Sequence, residues 1–248
     1  MAAWRRLLDR RRRGRNSAKG RREPRPAAPD LRTLRNRLLA ERGVVLVVDG
    51  GAFDGRWAQR LRESGYAAAI ASFEPLATAF AELARKAEHD PAWSCERVAL
   101  ASAAGTATLH VAGNAYSSSL LRMGRRHEQA APDSAVIGTE QVRIARLDDA
   151  LGAHAESGPA FIKLDLQGGE LEALAGAPRT LARTVLVELE LSLVELYSGQ
   201  ALLPRLFDEL VDAGFECIGL EPEFWTPAGR MLQVNGLFER PPGSAAAG

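Results

Sequence analysis

Residues 44–51 read Val-Val-Leu-Val-Val-Asp-Gly-Gly, a mostly β-branched apolar run that stops at a carboxylate and two glycines. A strand buried on both faces of a parallel sheet is written this way, because helices cover it above and below. Upstream, Asp30 opens a helix to about Glu41, with Leu31, Leu34, Leu38 and Leu39 on one stripe. Downstream, Gly55–Ser64 reads as a helix and Ala67–Phe73 as a strand closed by Glu74-Pro75. Leu76–Lys86 is the next helix and Arg97–Ala101 a third strand. Two short extended pieces, Ala107–Val111 and Gln141–Ala145, flank a polar insert from Gly113 to Gly138. The alternation then resumes. Strands are expected at Phe161–Leu164 and Val185–Leu189, with helices from Glu170 and over Leu202–Ala213. Phe215–Leu220 and Met231–Glu239 close the chain around a turn at Pro227–Gly229. This order predicts an α/β, Rossmann-like fold: a mostly parallel sheet, helices on both faces, and an antiparallel last pair.

A length of 248 residues, 46% hydrophobic and 25% charged, suits one domain over 30–240 with extensions at 1–29 and 241–248. Two cysteines, Cys95 and Cys217, exclude a disulfide scaffold and a four-cysteine zinc site. No His, Cys, Asp or Glu cluster has ligand spacing, so no metal is expected. No apolar run approaches the roughly 20 residues of a membrane helix. No apolar segment follows the N-terminal arginines, so the expectation is a cytoplasmic protein without a transmembrane segment. The net charge of +1 hides an asymmetry. Residues 1–29 hold ten Arg and Lys19 against Asp9 and Glu23, a net +9, and the remainder carries −8. That arm is Arg- and Pro-rich and is expected to be a disordered tail. Contact with nucleic acid or an anionic surface is its functional reading, and a solvated tail the plainer one.

In an open α/β sheet, ligands sit at the carboxyl ends of the strands. The polar residues there are Asp49 with Gly50, Gly51 and Gly55, then Glu74, Ser102, Asp165 to Gly169, and Glu188 with Glu190. Gly51 allows close backbone approach, and Gly55 opens a helix. A dinucleotide fingerprint would place glycine where Phe53 stands. Asp49 would oppose a pyrophosphate and favour an ammonium. Together with Glu74, 25 residues later, it suits a ligand with an amino group and a ribose diol, such as S-adenosyl-L-methionine. Two alternatives stay open on these residues. One is an NAD-dependent oxidoreductase with a Rossmann-type domain, and the other a non-catalytic binding protein of the same fold.

The ordered string Val-Asp-Gly-Gly-Ala-Phe-Asp-Gly (48–55), Ser-Phe-Glu-Pro (72–75), Ser-Ser-Ser-Leu (117–120) and Arg-Leu-Asp-Asp (146–149) continues further. Ile-Lys-Leu-Asp-Leu-Gln-Gly-Gly-Glu (162–170), Val-Glu-Leu-Glu (187–190) and Gly-Phe (214–215) follow. Across roughly Leu31 to Arg240 the chain resembles the FkbM family of S-adenosylmethionine-dependent methyltransferases. The resemblance implies a class I fold, a seven-stranded sheet with one antiparallel strand. It also implies methylation of a hydroxyl on a small-molecule acceptor, a sugar or natural product. It places Asp49, Gly51, Ala52 and Gly55 against the cofactor, Glu74 on its ribose and Ser102 by its adenine. The family usually carries Asn at the position of Phe53 and often Asp at that of Ser102. Asp165, ending the central fourth strand, is the first candidate base, and Glu188 the second. His127 lies in the polar insert, where a base or substrate contact competes with a solvent-facing side chain. Ser117–Ser119 are candidates to line the acceptor pocket.

Overall fold

The computed structural model describes residues 30–154 and 158–243, so the basic arm expected at 1–29 and residues 244–248 lie outside the described residues. Helix α1 (Leu31–Glu41) starts at Asp30, whose side chain accepts from the Thr33 amide at 2.7 Å. Then come β1 (Leu46–Gly50), α2 (Arg56–Glu63), β2 (Ala69–Phe73), α3 (Ala77–Ala87) and β3 (Trp93–Glu96). A smaller unit holds β4 (Ala99–Leu100), β5 (Gly105–Ala112), α4 (Arg125–Ala130) and β6 (Val136–Ala145). The chain continues through α5 (Leu147–Ala150), β7 (Ala160–Leu164), α6 (Glu170–Ala175), α7 (Pro178–Arg183) and β8 (Thr184–Ser192). It closes with α8 (Leu203–Asp212), β9 (Glu216–Trp225) and β10 (Met231–Glu239).

Seven strands form the main sheet in the order β3-β2-β1-β7-β8-β10-β9. The first five are parallel, and β10 is antiparallel to both β8 and β9, so it alone runs against the rest. Strand order reverses between β1 and β7, which opens a crevice at their carboxyl ends. Side chains alternate across the sheet and feed two cores. Val48, Ile162, Val187 and Leu189 face one helical layer with Leu206 and Leu210 of α8. Val47, Ile70, Phe161 and Leu186 face the other, with Leu38 of α1, Leu61 of α2 and Leu83 of α3.

The third strand differs from the sequence expectation. Trp93–Glu96, not Arg97–Ala101, extends the parallel sheet beyond β2. Val98 and Leu100 are buried in the first core, which gives that run the apolar signature of a strand. Its short β4 pairs instead with β6, and β6 pairs antiparallel with β5 to make a separate three-stranded sheet. The polar insert is thus bracketed by a long antiparallel pair rather than by loose extended pieces. Among the described residues, no helix is long and apolar enough to cross a membrane.

Phe161 is fully buried at the middle of the sheet and stacks on Trp57 with ring centroids 6.1 Å apart. Phe161→Ala should cost about 3–5 kcal/mol through lost burial and the cavity left behind. Chemical denaturation of the variant, with the transition midpoint read against an unchanged slope, measures this.

Candidate active site

Register puts Ser72, Asp49, Lys163 and Glu188 side by side on four adjacent strands, β2, β1, β7 and β8. All are on the side of the sheet covered by α1 and α2. Asp49 is wholly buried. Its Oδ1 lies 3.1 Å from Lys163 Nζ in an ion pair, and its Oδ2 accepts from Ser72 Oγ at 3.3 Å. Lys163 Nζ also donates to the carbonyls of Gly51 (3.1 Å) and Gly50 (3.4 Å). Glu188 pairs with Arg35 of α1 at 3.1 Å, and the Arg35 guanidinium sits 4.9 Å from the Trp57 ring centre. Trp93 Nε1 donates to Ser72 Oγ at 2.9 Å. Burial pushes the Lys163 ammonium down, but Asp49 and then Asp165 outweigh it and hold its pKa above the ordinary value.

Two positions further along the chain from each of these residues come Glu74, Gly51, Asp165 and Glu190, and all four line one cleft of about 340 Å³. Glu74 accepts from the amides of Phe53 and Leu76, each at 2.8 Å. Burial lifts its carboxyl to about 7, against the pull of those amides and of Lys163. Gly51 has φ +68°, and a Cβ there would lie 1.9 Å from the Asp165 carbonyl oxygen, so the turn requires glycine. Asp165 is the open member, its side chain 44% exposed. Its Oδ1 accepts from Gln167 Nε2 at 2.7 Å, and its Oδ2 stands 3.8 Å from Lys163 Nζ.

Gln167 carries most of the connections. Its Nε2 also donates to Glu190 Oε2 at 3.0 Å, and its Oε1 accepts from Tyr197 Oη at 2.7 Å. Its own carbonyl accepts from Ser119 Oγ of the insert at 2.8 Å. The backbone there has φ +54°, a strained value for a side-chain-bearing residue, and these bonds hold it. Glu170 closes the same turn by accepting from the amides of Leu166 (2.8 Å) and Gly168 (3.3 Å). Glu190 is held well above the usual carboxylate range by burial, then by Asp165 and Glu170.

The sequence-predicted residues divide. Gly51, Glu74, Asp165 and His127 line the cleft, with Ser117, Ser118 and Ser119. Ala52 and Gly55 lie behind the glycine loop; Ala52 is buried, and a Cβ on Gly55 would meet Leu83 at 2.9 Å. Asp49 and Glu188 belong to the inner, paired row and do not reach the wall. Glu188 was expected at a strand end, but β8 runs on to Ser192 beside β10, and it is Glu190, two residues further on, that lines the cleft. Ser102 is off the wall as well, hydrogen-bonded to Glu172 of α6. With β3 ending at Glu96, Val98, Ala99 and Leu100 line the cleft in its place. His127 is 3% exposed rather than solvent-facing, and burial keeps its pKa below the ordinary value. Its Nδ1 meets Ser134 Oγ at 2.9 Å and its Nε2 meets Tyr197 Oη at 3.2 Å, so both ring nitrogens are engaged. Sequence reasoning missed Lys163, Gln167 and Tyr197 as site residues. Lys163 and Gln167 stood inside the quoted 162–170 motif, whereas nothing local marks Tyr197.

The glycine loop discriminates between ligands. The amides of Gly51 and Ala52 donate to the Phe73 carbonyl, and that of Phe53 to Glu74. The Arg56 amide, first in α2, is taken by Asp54 Oδ1 at 3.1 Å. A pyrophosphate would need such donors free. The cleft wall instead offers the carboxyls of Glu74, Asp165, Glu190 and Glu223, and among the described residues His127 is the one basic side chain on it. That surface fits a ligand bearing positive charge and a diol. Among the described residues, no group of three or more His, Cys, Asp or Glu is placed to hold a metal ion.

A family model described as methyltransferase FkbM domain matches residues 49–217. No curated protein matches the chain significantly. The fold is similar to that of a magnesium protoporphyrin IX methyltransferase from Synechocystis, solved with bound S-adenosylmethionine. That match has 13% identity over 84% of this chain and 77% of that one, with a TM-score of 0.44. It is also similar to an rRNA methylase from Streptococcus thermophilus, at 12% identity over 84% of this chain and 94% of that one, with a TM-score of 0.43.

Glu74 gives the site a pH signature. The folded chain keeps this proton up to about pH 7, whereas an unfolded glutamate releases it near 4.5. The native state therefore binds more protons in that window, and its stability falls as pH rises through it. Glu74→Gln should flatten part of that slope. Denaturant unfolding of both proteins between pH 5 and 8 measures the difference, and parallel curves would contradict the assignment.

Proposed function

Because the chain belongs to the FkbM methyltransferase family, we propose that it methylates a hydroxyl oxygen of a small molecule, such as a sugar or another natural product. S-adenosyl-L-methionine is the cofactor, and the fold is that of Rossmann-like methyltransferases. The family assignment removes the oxidoreductase alternative, in agreement with the inward-turned loop amides.

The cofactor supplies a methyl group on a cationic sulfur, which leaves the protein to bind, orient and deprotonate. Glu74 is the residue to hold the ribose hydroxyls, since it lines the cleft and each of its oxygens accepts one amide and has a second lone pair. Gly51 lets the loop backbone approach closely. Asp165 is the proposed base: its carboxylate is 44% exposed in the cleft, beside Gly51 and steered by Gln167. This exposed and oriented carboxylate is the observation that carries the reading. An alcohol is a weak nucleophile until its proton is accepted, and a placed base contributes roughly 10²–10⁴-fold. Alignment of the acceptor behind the methyl contributes on the order of 7–11 kcal/mol. The insert lines the same cleft through Ser117, Ser119 and Tyr116, and in this reading it is the part that shields that line from water.

The transfer is tested with isotopically labelled S-adenosylmethionine against a panel of sugars and hydroxylated natural products, with mass spectrometry locating the methyl group. Label on nitrogen, or on no small molecule, would overturn the oxygen assignment. Two carboxylates should then fail differently. Glu74→Ala should raise the cofactor KM by about 10²-fold with kcat nearly unchanged, because it removes contacts equal in ground and transition states. Asp165→Asn should lower kcat by about 10²-fold or more while calorimetry shows the cofactor still binding. Loss of cofactor binding in Asp165→Asn would move that residue into the cofactor pocket.

A further inference from the structure

The glycine loop is held from behind by two ammonium groups. Lys163 Nζ donates to the Gly50 and Gly51 carbonyls where the loop begins. Lys86 Nζ, from α3, donates to the Asp54 carbonyl where it ends and stands 3.3 Å from the Asp54 carboxylate. Only three of the chain's 32 basic residues are lysine, and these are the two among the described residues. A compact ammonium can direct three hydrogens to separate acceptors, which a planar guanidinium cannot do in the same space. We propose that Lys163 and Lys86 are positioning residues that clamp residues 50–54 into the cofactor-binding conformation, and that Asp49 acts on the cofactor only by holding Lys163.

The clamp closes a balance of backbone groups. The amides of Gly51, Ala52 and Phe53 are fixed by Phe73 and Glu74, and the Gly50 and Ala52 carbonyls accept from the Asp165 and Gly55 amides, which leaves the Gly51 and Asp54 carbonyls to the two lysines. Without Lys163 the Gly50 carbonyl keeps the Asp165 amide at 3.1 Å, but the Gly51 carbonyl loses the ammonium, and the Gly51–Ala52 peptide beside the cleft is left held by its amide alone. Lys163 is not part of the cleft lining and reaches it only through the loop and through its 3.8 Å ion pair with Asp165. This inference goes beyond the choice of acceptor and base and stands whether or not Asp165 is the base.

The test is calorimetric titration of full-length variants with S-adenosylhomocysteine, alongside thermal melting. Lys163→Met should weaken binding by about 10- to 100-fold, the loss expected for hydrogen bonds from a charged donor. It should also lower Tm, because Asp49 is left buried and unpaired. Asp49→Asn/Lys163→Met removes both charges and should recover most of the Tm, while binding stays at least about 10-fold weak. Asp49→Asn alone leaves the carbonyl bonds in place and should keep binding within about 3-fold. Lys86→Met, at a half-open site, should weaken binding by about 3- to 10-fold with Tm nearly unchanged. Binding that recovers along with Tm in the double variant would overturn the proposal and make Lys163 merely structural. Loss of binding in Asp49→Asn equal to that in Lys163→Met would overturn it too, since Asp49 would then meet the cofactor itself.

Discussion

A lysine ammonium buried between two carboxylates at the centre of a parallel sheet sets the terms for the rest of this molecule. Asp49, Lys163 and Glu188 occupy one register row, with Arg35 closing it from α1. Two positive and two negative charges cancel there. A lone charge at that depth would cost several kcal/mol, so no member can be removed singly without heavy loss. The row also fixes what surrounds it. Arg35 ties α1 to the sheet and rests on Trp57, which in turn stacks on Phe161. One line of polar residues thus orients the helical layer, the strand register and the loop above.

The active cleft begins two residues past that row, and the period of a strand explains why. Residues i and i+2 share a face, so Gly51 stands over Asp49, Asp165 over Lys163 and Glu190 over Glu188. The inner residues have sheet on both sides and must be neutralised. The outer ones line the cleft, Glu190 still within β8 beside Asn235 and Asp165 just past the end of β7. Chemically similar carboxylates therefore divide into paired and available sets by a step of two residues. Gln167 then joins the available pair, Asp165 and Glu190, to Tyr197 and the insert.

This division marks where the sequence was legible. Val44–Val48, Glu74-Pro75 and the 162–170 motif are local signals, and each led to an element or a cleft residue that the structure contains. Asp49 and Glu188 had the right residue types at the wrong depth. Depth depends on where neighbouring strands end, which no local pattern states. Val98 and Leu100 misled for a related reason: they are as apolar as strand residues because they are core residues, yet only two positions there pair. Trp93–Glu96 is four residues long, mostly half-open, and stands at the sheet edge, so its pattern is faint. The bonds from Tyr197 to Gln167 and His127 span 30 and 70 residues of chain, and only the folded insert brings them together.

The charge distribution follows the same logic at larger scale. Beyond residue 29 the chain carries a net −8, yet its central row is neutral and many of its surface arginines pair with acidic neighbours. Four acidic side chains, Glu74, Asp165, Glu190 and Glu223, gather on the cleft wall. Glu223 shows the cost: burial, then Asp165, Glu221 and Glu188, push its carboxyl above the ordinary value. Glu74 and Glu190 are raised by burial in the same way. A fold optimised for stability alone would place a cation among them, and Lys163 shows that this sheet can accommodate one. Leaving the wall acidic fits a cofactor that brings its own positive charge, because the ligand then relieves a repulsion that the empty cleft must carry.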